Sequence, residues 1–462
     1  MQLKKGQVEE INIDSVAFGG QGIGEFEGIK VFVDGAMPGD CVDASFRKIK
    51  KKYIEADLVE IKRPSGDRLE ARCEHYDRCG GCQMQHIPYD QQLEMKKSHT
   101  VDCFERIGEI ASVPVTDVIP CDEQFWYRNK MEFSFGYDHD MSFSLGFHVP
   151  KRRYDILDIN KCYLQSPFSN QILKLVRDFA FEMSWMPFRY QSGEGTLRSL
   201  FVREGKRTGE VMVNLVVAES RPDDFEEKIK ILSERLMGLK GEDKKVVSFY
   251  YSWSVSRRGE RKKFFKELVD GKAAINEEMV LENGDKLEFE ILPDAFFQVN
   301  TFQAEKLYSQ VVKLISDREH EVIFDLFCGT GTIGLFLSRY AEHVVGVEMN
   351  SDAVESAIKN AKKNKIFNID FYTGDVNKMI GNVRLRPSMI VVDPPRCGLA
   401  KKIIPVISDF GCSRIVYVSC NPATLARDCA YLGEFGYKVV SVQPVDMFPN
   451  TYHIENVCLL ER

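Results

Sequence analysis

The chain has 462 residues, a formal net charge of −7 and 13 cysteines. This length predicts two to four domains, and no apolar run is long enough to span a membrane. The first residues lack the apolar core of a signal peptide, so we predict a cytoplasmic protein. Its odd number of thiols argues against a disulfide framework and leaves cysteines available for metal binding or catalysis.

Local charge differs from the acidic total. Compact basic clusters occur at residues 47–52, 151–153 and 257–263. A charge run is usually a solvated surface, but three such runs in an acidic chain also suit a phosphate-binding face.

Residues 1–62 are predicted to form short strands broken by glycine. The predicted strands cover residues 7–13, 15–23, 30–33, 41–46 and 53–61. Five strands without a helix favour a small barrel of the OB type, a frequent RNA-binding module. The stretch resembles the TRAM domain of RNA-modifying enzymes, through Phe-Gly-Gly-Gln-Gly at 18–22 and Val-Asp-Gly-Ala-Met-Pro-Gly-Asp at 33–40.

Residues 63–287 are predicted to form an α+β domain whose strand order the sequence does not fix. A helix is expected at 90–107, with Leu93, Lys97, Val101, Phe104 and Ile107 near one face. Further strands are expected within 125–147 and at 198–202 and 210–217, and an amphipathic helix at 225–237.

Four cysteines in this region form a candidate metal site. Cys73, Cys79 and Cys82 are close in sequence, and Cys162 is distant. Four thiolates fit zinc or an iron–sulfur cluster, and the spacing leaves both open. The five-residue gap after Cys73 argues against a radical-SAM cluster. Apart from Cys420, the remaining cysteines are interpreted as structural.

Residues 288–462 show alternating strands and helices, which predict a doubly wound, Rossmann-like parallel sheet. Strands are expected at 321–327, 343–347, 371–372, 389–392, 415–418 and 438–445, with helices at 352–365 and 422–434. Ligands bind such sheets at the carboxyl ends of the strands.

The first strand is followed by Gly329, Gly331 and Gly334, a spacing that fits a dinucleotide, another adenosine cofactor or a tight turn. Glu348, at the next strand tip, can accept both ribose hydroxyl hydrogens, and Asp375 can accept from an adenine amino group. Either acid can also be a solvated loop residue. Together these features resemble S-adenosylmethionine (SAM) methyltransferases, and the later strand tips decide against NAD.

Three later residues supply chemistry. Asp393 opens a stiff Asp-Pro-Pro-Arg turn, where Arg396 replaces the aromatic residue of amino-group methyltransferases. Cys420 follows a buried strand, where it is either a nucleophile or a structural thiol. Glu455 follows a turn and is either a general base or an edge-strand carboxylate. Methylation of a pyrimidine at C5 needs one thiol, to add at C6, and one base, to remove the C5 proton.

The motifs around these residues resemble the RNA uracil-5-methyltransferases along essentially the whole chain. They occupy residues 295–300, 325–331, 392–396, 418–422 and 448–455. The resemblance implies that Cys420 is the nucleophile and Glu455 the base. It also implies that Gln298, Phe327, Glu348 and Asp393 line the SAM and uracil sites and that Phe296 stacks on the base. Asn450 departs from the family, which often has His there.

The ribosomal-RNA-directed branch of that family is the nearest resemblance. It implies a [4Fe-4S] cluster on Cys73, Cys79, Cys82 and Cys162, with a structural or RNA-positioning role. The expected activity is methylation of a uridine in 23S ribosomal RNA, because the tRNA-directed branch usually lacks the barrel and the cluster. The alternatives are tRNA uridine-C5 methylation, RNA cytosine-C5 methylation and a non-catalytic iron–sulfur RNA-binding protein. RNA is the expected partner, with neither a membrane nor an obligate protein partner.

Overall fold

The structure is a computed structural model that describes residues 3–152, 154–257, 259–260, 262–379 and 385–462. Its strands are β1 Val8–Val16, β2 Gln21–Phe26, β3 Ile29–Asp34, β4 Cys41–Ile49, β5 Tyr53–Arg63, β6 Lys130–Tyr137, β7 Phe143–His148, β8 Ile156–Asp158, β9 Leu197–Glu204, β10 Glu210–Val217, β11 Lys245–Val255, β12 Lys263–Gly271, β13 Ile275–Val280, β14 Lys286–Ile291, β15 His320–Leu326, β16 Ala341–Glu348, β17 Ile369–Thr373, β18 Met389–Val392, β19 Arg414–Ser419, β20 Lys438–Val445 and β21 Glu455–Glu461. Its helices are α1 Tyr89–Arg106, α2 Pro167–Glu182, α3 Phe225–Met237, α4 Thr301–Ile315, α5 Thr332–Leu337, α6 Ser351–Lys363, α7 Val376–Met379, α8 Ile403–Asp409 and α9 Pro422–Gly433.

The first five strands close into a barrel in the order β1-β2-β3-β5-β4, which confirms the predicted five-stranded barrel. Alternate residues such as Ile11, Val31 and Phe46 fill its interior. The prediction of a second strand from residue 15 was wrong, because β1 continues to Val16. Gly19 and Gly20 then have φ of 124° and 85°, a left-handed backbone that makes the turn into β2.

A seven-stranded sheet of order β12-β11-β10-β9-β6-β7-β8 forms the middle of the molecule. It is mixed, since β10 and β11 run parallel while the other pairs are antiparallel. Helices α2 and α3 bury their apolar faces against it. The hairpin β13–β14 shares an apolar core with α4 and the C-terminal sheet, which joins the two sheets.

The C-terminal sheet has the order β17-β16-β15-β18-β19-β21-β20, with β21 antiparallel to both of its neighbours. The predicted doubly wound parallel sheet is therefore present, with an antiparallel hairpin at one edge. Strands β15 to β19 run parallel, so their carboxyl ends meet at one edge of the sheet. That edge brings the predicted site residues together.

Helix α1 has its predicted extent but not its predicted packing. Its buried positions include Gln92, Lys96 and Thr100, whereas Ile107 is exposed. The helix lies against α9, and Phe104 enters the core of the C-terminal sheet. The domain ranges 1–62, 63–287 and 288–462 stay a proposal, and α1 packs with the third of them.

The basic clusters are only partly available for phosphate. Lys48 pairs with Glu55 at 2.6 Å, and Lys151 pairs with Asp57 of the barrel at 3.0 Å. Residues 50–52, between β4 and β5, are exposed. Three predicted members, Arg153, Arg258 and Arg261, lie outside the described residues. In the described part of the chain, no helix is both long and apolar enough to cross a membrane.

Candidate functional site

The predicted nucleophile and base face each other across two strands. Ser419 of β19 pairs with Asn456 of β21, so the same register continued by one residue places Cys420 opposite Glu455. Directly opposed residues on antiparallel strands have Cα atoms roughly 4.5–5.5 Å apart and side chains on the same face. Asp393 follows the neighbouring strand β18. Three residues that are far apart in sequence therefore share one sheet edge.

Charge interactions among these side chains show the same proximity. Burial, Glu455 and Asp393 together raise the pKa of the Cys420 thiol to about 11. Burial and Asp393 raise the pKa of Glu455 well above its ordinary value. Burial raises the pKa of Asp393 to about 7, with a smaller contribution from Asp325. A buried group of acids and a thiol repels further negative charge, so it holds protons when the crevice is empty.

Arg396 and Tyr308 join this group, and the sequence did not single out either as a functional residue. Arg396 is the cation that lowers the pKa of both Cys420 and Glu455, against the other influences. Tyr308 of α4 is buried, and Asp393 and Glu455 raise the pKa of its phenol. Its hydroxyl also hydrogen-bonds the side chain of Gln298. The Asp-Pro-Pro-Arg turn was visible in the sequence, but no local signal marks Tyr308.

The local sequence explains how Cys420 is presented. Asn421 caps α9 by accepting a hydrogen bond from the Ala423 amide at 3.1 Å, and Pro422 starts the helix. The Asn421 side chain also donates to the Arg396 carbonyl at 3.2 Å, which joins this turn to the one after β18. The helix therefore begins two residues after Cys420, and the thiol lies at a fixed strand-to-helix turn.

The segment before Glu455 is held by one polar face of α1. Lys96 and Asp446 form a fully buried ion pair at 2.6 Å, and Lys96 also donates to the Phe448 carbonyl at 3.1 Å. Tyr89 donates to Asp446 at 2.8 Å. The Thr100 hydroxyl donates to the side-chain oxygen of Asn456, the residue after Glu455, at 3.3 Å. Positions 89, 96 and 100 recur at helical spacing, so one helix face orients the segment that carries Glu455.

Asn450 lies in the same segment and has φ of 66°, a left-handed conformation that asparagine tolerates. Asn450 donates two hydrogen bonds within the fold: its backbone N–H donates to the Gln92 side chain at 2.9 Å, and its side-chain amide donates to the Gln124 carbonyl at 2.8 Å. Asn450 thus joins α1 and the chain before β6 to the segment that precedes Glu455.

The glycine turn and two acids form the other half of the crevice. Glu348 accepts from the Gly329 amide at 3.1 Å and from the Asn350 amide at 2.9 Å. No atom of the described residues is recorded within 4 Å of the position where a Cβ of Gly329 would project, which leaves room for a ligand beside the turn. Gly331 has φ of 76°, and a Cβ there would lie 2.7 Å from the Phe371 ring. Asp375 follows β17, and Glu348 pairs with Thr373 of that strand, so the two acids lie on adjacent strand tips.

The remaining predicted ligands flank this turn. Phe327 has φ of 64°, which is unusual for a bulky residue and sets the chain at the end of β15. The Phe296 carbonyl accepts from Thr330 at 3.3 Å, and 62 % of Phe296 is exposed. Gln298 is held by Asn129, which donates to its carbonyl at 2.8 Å. These residues lie between the glycine turn, through Thr330, and the acids beside Cys420, through Tyr308.

The four predicted metal ligands line a separate cavity of about 180 Å³. This volume is more than ten times the ~15 Å³ that holds one water. Burial, with a smaller contribution from the neighbouring thiols, raises the pKa of Cys82 to about 12 and that of Cys162 to about 11. Cys73 and Cys79 also have raised pKa values, chiefly from burial. Four sulfur donors around one apolar cavity suit a soft metal centre larger than one ion.

The sheet order and the crevice at its strand tips define a methyltransferase domain with a thiol and an acid facing each other. Comparisons with known proteins agree. Residues 88–462 match the family described as tRNA (Uracil-5-)-methyltransferase, and residues 2–59 match the TRAM domain. The chain belongs to this uracil-5-methyltransferase family and is a SAM-dependent RNA uracil-C5 methyltransferase.

Individual relatives extend over the full length. The chain is 37 % identical to an uncharacterized RNA methyltransferase of Clostridium acetobutylicum, covering 100 % of this chain and 98 % of the relative. A relative from Bacteroides thetaiotaomicron with the same description is 36 % identical, covering 96 % and 99 %. The crystal structure of the Pyrococcus abyssi tRNA (uracil-54, C5)-methyltransferase with S-adenosyl-L-homocysteine is similar with a TM-score of 0.74 and 28 % identity. It covers 98 % of this chain and 100 % of its own.

Proposed function

We propose that Cys420 is the nucleophile and Glu455 the general base of uridine methylation. The observation that carries the proposal is the register that sets them opposite each other beside Asp393. The Cys420 thiolate adds to C6 of uracil, and the electron pair moves to C5, which takes up the methyl group. Glu455 then accepts the C5 proton, and the C6–S bond breaks to release the thiolate and 5-methyluridine.

Two protons must leave before these steps, one from the Cys420 thiol and one from the Glu455 carboxyl, because burial and Asp393 raise the pKa of both groups. The raised pKa of Cys420 keeps the thiol protonated at neutral pH, so addition requires a cation or an acceptor nearby. Arg396 supplies the positive charge that favours the thiolate. Asp393, whose pKa of about 7 allows either protonation state, is placed to accept from or donate to the edge of the uracil ring. Phe296 offers an exposed ring for the flipped base.

SAM supplies a methyl group on a sulfonium centre when it is bound. The open space beside Gly329 and the carboxylate of Glu348 fit its adenosine part, with Glu348 placed for the ribose hydroxyls and Asp375 for the adenine. Gln298, Phe327, Gly331 and Asp393 complete the proposed cofactor contacts. Several acids near the methyl donor's positive charge also favour its binding.

The four thiols are proposed to hold a [4Fe-4S] cluster. The four sulfur donors support it, of which Cys162 is buried and Cys73, Cys79 and Cys82 are partly buried, as does the size of the cavity that they line. Methyl transfer needs no electron, so the cluster is assigned a structural role. It would join residues 73–82 to the turn after β8, and Arg128, which also lines the cavity, follows Tyr127, whose hydroxyl donates to the Pro449 carbonyl.

We propose ribosomal RNA, in particular 23S RNA, as the substrate, on the resemblance of the four-cysteine set to the ribosomal branch. tRNA is the second candidate. The P. abyssi enzyme, described as acting on tRNA, covers 98 % of this chain. Because this match extends over the N-terminal barrel, the presence of a barrel does not favour ribosomal RNA over tRNA as the substrate.

Glu455→Gln tests the base role. Addition and methyl transfer can proceed, but the C5 proton stays, so a covalent protein–RNA adduct should accumulate and survive a denaturing gel. Cys420→Ala in the same preparation should give neither adduct nor turnover while it still binds SAM, because its thiol contacts the pyrimidine. Rapid turnover by Glu455→Gln without adduct would remove Glu455 from the base role.

The substrate is tested by mapping 5-methyluridine in ribosomal RNA and tRNA from a strain that lacks the protein. Loss of the modification from 23S RNA, restored by the wild-type gene and not by Cys420→Ala, supports the ribosomal substrate. Loss confined to tRNA would replace it with the second candidate.

A further inference from the structure

A cluster of aromatic rings and cations lies beside the crevice and takes no part in the chemistry above. It consists of Phe125, Trp126 and Tyr163 with the cations Arg72 and Lys161, and is called the aromatic platform below. We propose that the platform binds an unpaired nucleotide next to the target uridine in the RNA strand. The proposal rests on the RNA methyltransferase activity and adds a second nucleotide site to it.

The platform is built around one guanidinium group. The Arg72 guanidinium carbon lies 4.9 Å from the ring centroid of Phe125, 4.6 Å from that of Trp126 and 4.8 Å from that of Tyr163. Lys161 Nζ lies 4.7 Å from the Tyr163 centroid. Cation–π attraction holds the rings around the guanidinium. Arg72, Lys161 and Trp126 are exposed, so flat surfaces and two positive charges face the solvent together.

Trp126 is held in a conformation that bulky residues avoid. Its φ is 56°, in the left-handed region, and 37 % of the residue is exposed. Its amide donates to the Tyr163 carbonyl at 2.7 Å, and its carbonyl accepts from Lys206 at 3.0 Å, which fixes the backbone. Strained residues fixed in this way cluster at ligand-binding sites. Core packing does not explain a strained backbone at a residue whose side chain is open to solvent.

Hydrogen bonds join the chain on both sides of Trp126 to the segment that precedes Glu455. Tyr127, which follows Trp126, donates to the Pro449 carbonyl at 3.1 Å. On the other side, the Gln124 carbonyl accepts from Asn450 at 2.8 Å. Both contacts join the platform to the segment that carries Glu455. An RNA strand whose uridine enters the crevice therefore continues past Trp126.

The chemistry of the platform selects single-stranded RNA. Flipping one base out unstacks its neighbours, and those bases then stack on aromatic rings or guanidinium planes. Such stacking tolerates any base, because every base has a π face. Arg72 and Lys161 can contact the phosphates on either side of the stacked base. The ligand class is thus an unpaired nucleotide of any sequence.

A second aromatic group provides a matched control. Tyr190 is 77 % exposed, and the Arg198 guanidinium carbon lies 5.3 Å from its ring centroid, so it shares the composition of the platform. Arg198 lies in β9, at the opposite end from Glu204, whose amide donates to Asn129. That strand is roughly 23 Å long. Tyr190 is therefore an exposed ring beside a cation but remote from the crevice.

The test uses the full chain and fluorescein-labelled hexauridylate, with fluorescence anisotropy as the measure of affinity and no SAM present. Trp126→Asn removes the ring but keeps a residue that adopts left-handed backbone. The loss of one stacked base predicts roughly 5- to 150-fold weaker binding. Trp126→Phe should restore most of the affinity, and Tyr190→Asn should bind like the wild type. Arg72→Gln should lower the slope of log affinity against log salt by about 0.7, for one lost phosphate contact on a single strand.

Each outcome supports or contradicts nucleotide binding by the platform. Unchanged binding by Trp126→Asn, or an equal loss in Tyr190→Asn, would overturn the platform. SAM binding measured by calorimetry shows whether Trp126→Asn is folded, and if it is not, the Trp126→Phe and Arg72→Gln results decide. A wild-type protein that neither binds nor methylates RNA would contradict the methyltransferase activity as well. A wild type that methylates RNA beside a fully active Trp126→Asn would contradict the platform alone.

Discussion

Substitution of Lys96 by Met tests the link between α1 and residues 446–456, which include the proposed base Glu455 and are called the base segment below. The ammonium and the Asp446 carboxylate are 2.6 Å apart, and neither side chain is exposed. Lys96→Met keeps the length of the side chain, and among the described residues it leaves Asp446 with the Tyr89 hydroxyl and the Phe448 amide as partners. Removing one partner of a buried ion pair costs about 3–5 kcal/mol. For a unit the size of the C-terminal domain, this lowers the melting temperature by roughly 6–20 °C.

The neighbouring residue supplies the control. Lys97 also forms an ion pair at 2.6 Å, with Asp117, but 92 % of the Asp117 side chain is exposed. Lys97→Met should leave the melting temperature nearly unchanged, because solvent screens the pair. The double variant Lys96→Met/Asp446→Leu should recover most of the stability, since no buried charge remains unpaired.

Thermal unfolding of the four proteins, followed by circular dichroism at one concentration and pH, measures these differences. Equal melting temperatures for Lys96→Met and Lys97→Met would refute the argument that burial sets the cost. A double variant as unstable as Lys96→Met would show that the loss comes from packing and not from the unpaired carboxylate.

Three further predictions concern the candidate active site, the proposed cluster and the RNA interface. Arg396→Met removes the cation that lowers the pKa of Cys420, so kcat/KM near pH 7.5 should fall about 3- to 10-fold and recover as pH rises, measured as a pH profile; an unshifted profile would contradict it. Anaerobically purified protein should be brown with about four irons per chain, and Cys162→Ser should lose them while the control Cys103→Ser keeps them; stoichiometric zinc without sulfide would exclude the cluster. Replacing lysines 50–52 with alanine should weaken RNA binding and flatten its salt dependence without affecting SAM binding; unchanged salt slopes would remove this turn from the RNA interface.

The barrel contacts the rest of the molecule more closely than its sequence indicates. Phe18 packs edge-on against Tyr452, with centroids 5.5 Å apart, and His99 of α1 hydrogen-bonds the Val16 carbonyl at 2.8 Å. Tyr452 lies three residues before Glu455. Removal of the whole barrel would therefore expose the base segment, which is why the surface lysines are the cleaner test of RNA binding.

The sequence alone determined which residues follow the buried strands of the C-terminal sheet. Asp393 and Cys420 each follow a short buried strand, and parallel strands place their carboxyl ends at one edge, so their meeting could be predicted from local pattern. Similar reasoning predicted the ends of β10, α3, β18 and β20, because turn residues and apolar periodicity mark them. These are properties of a few consecutive residues, which any copy of the segment would carry.

Only the tertiary structure decided which residues support that edge. Lys96 and Asp446 are 350 positions apart, and their pairing depends on α1 lying against α9. The apolar pattern of α1 favoured the wrong face, because its buried side is polar and satisfied by the base segment. Tyr308 and Trp126 likewise contact residues that are distant from them in the sequence. Burial and hydrogen-bond partners arise from packing between segments, and a single local pattern does not contain them.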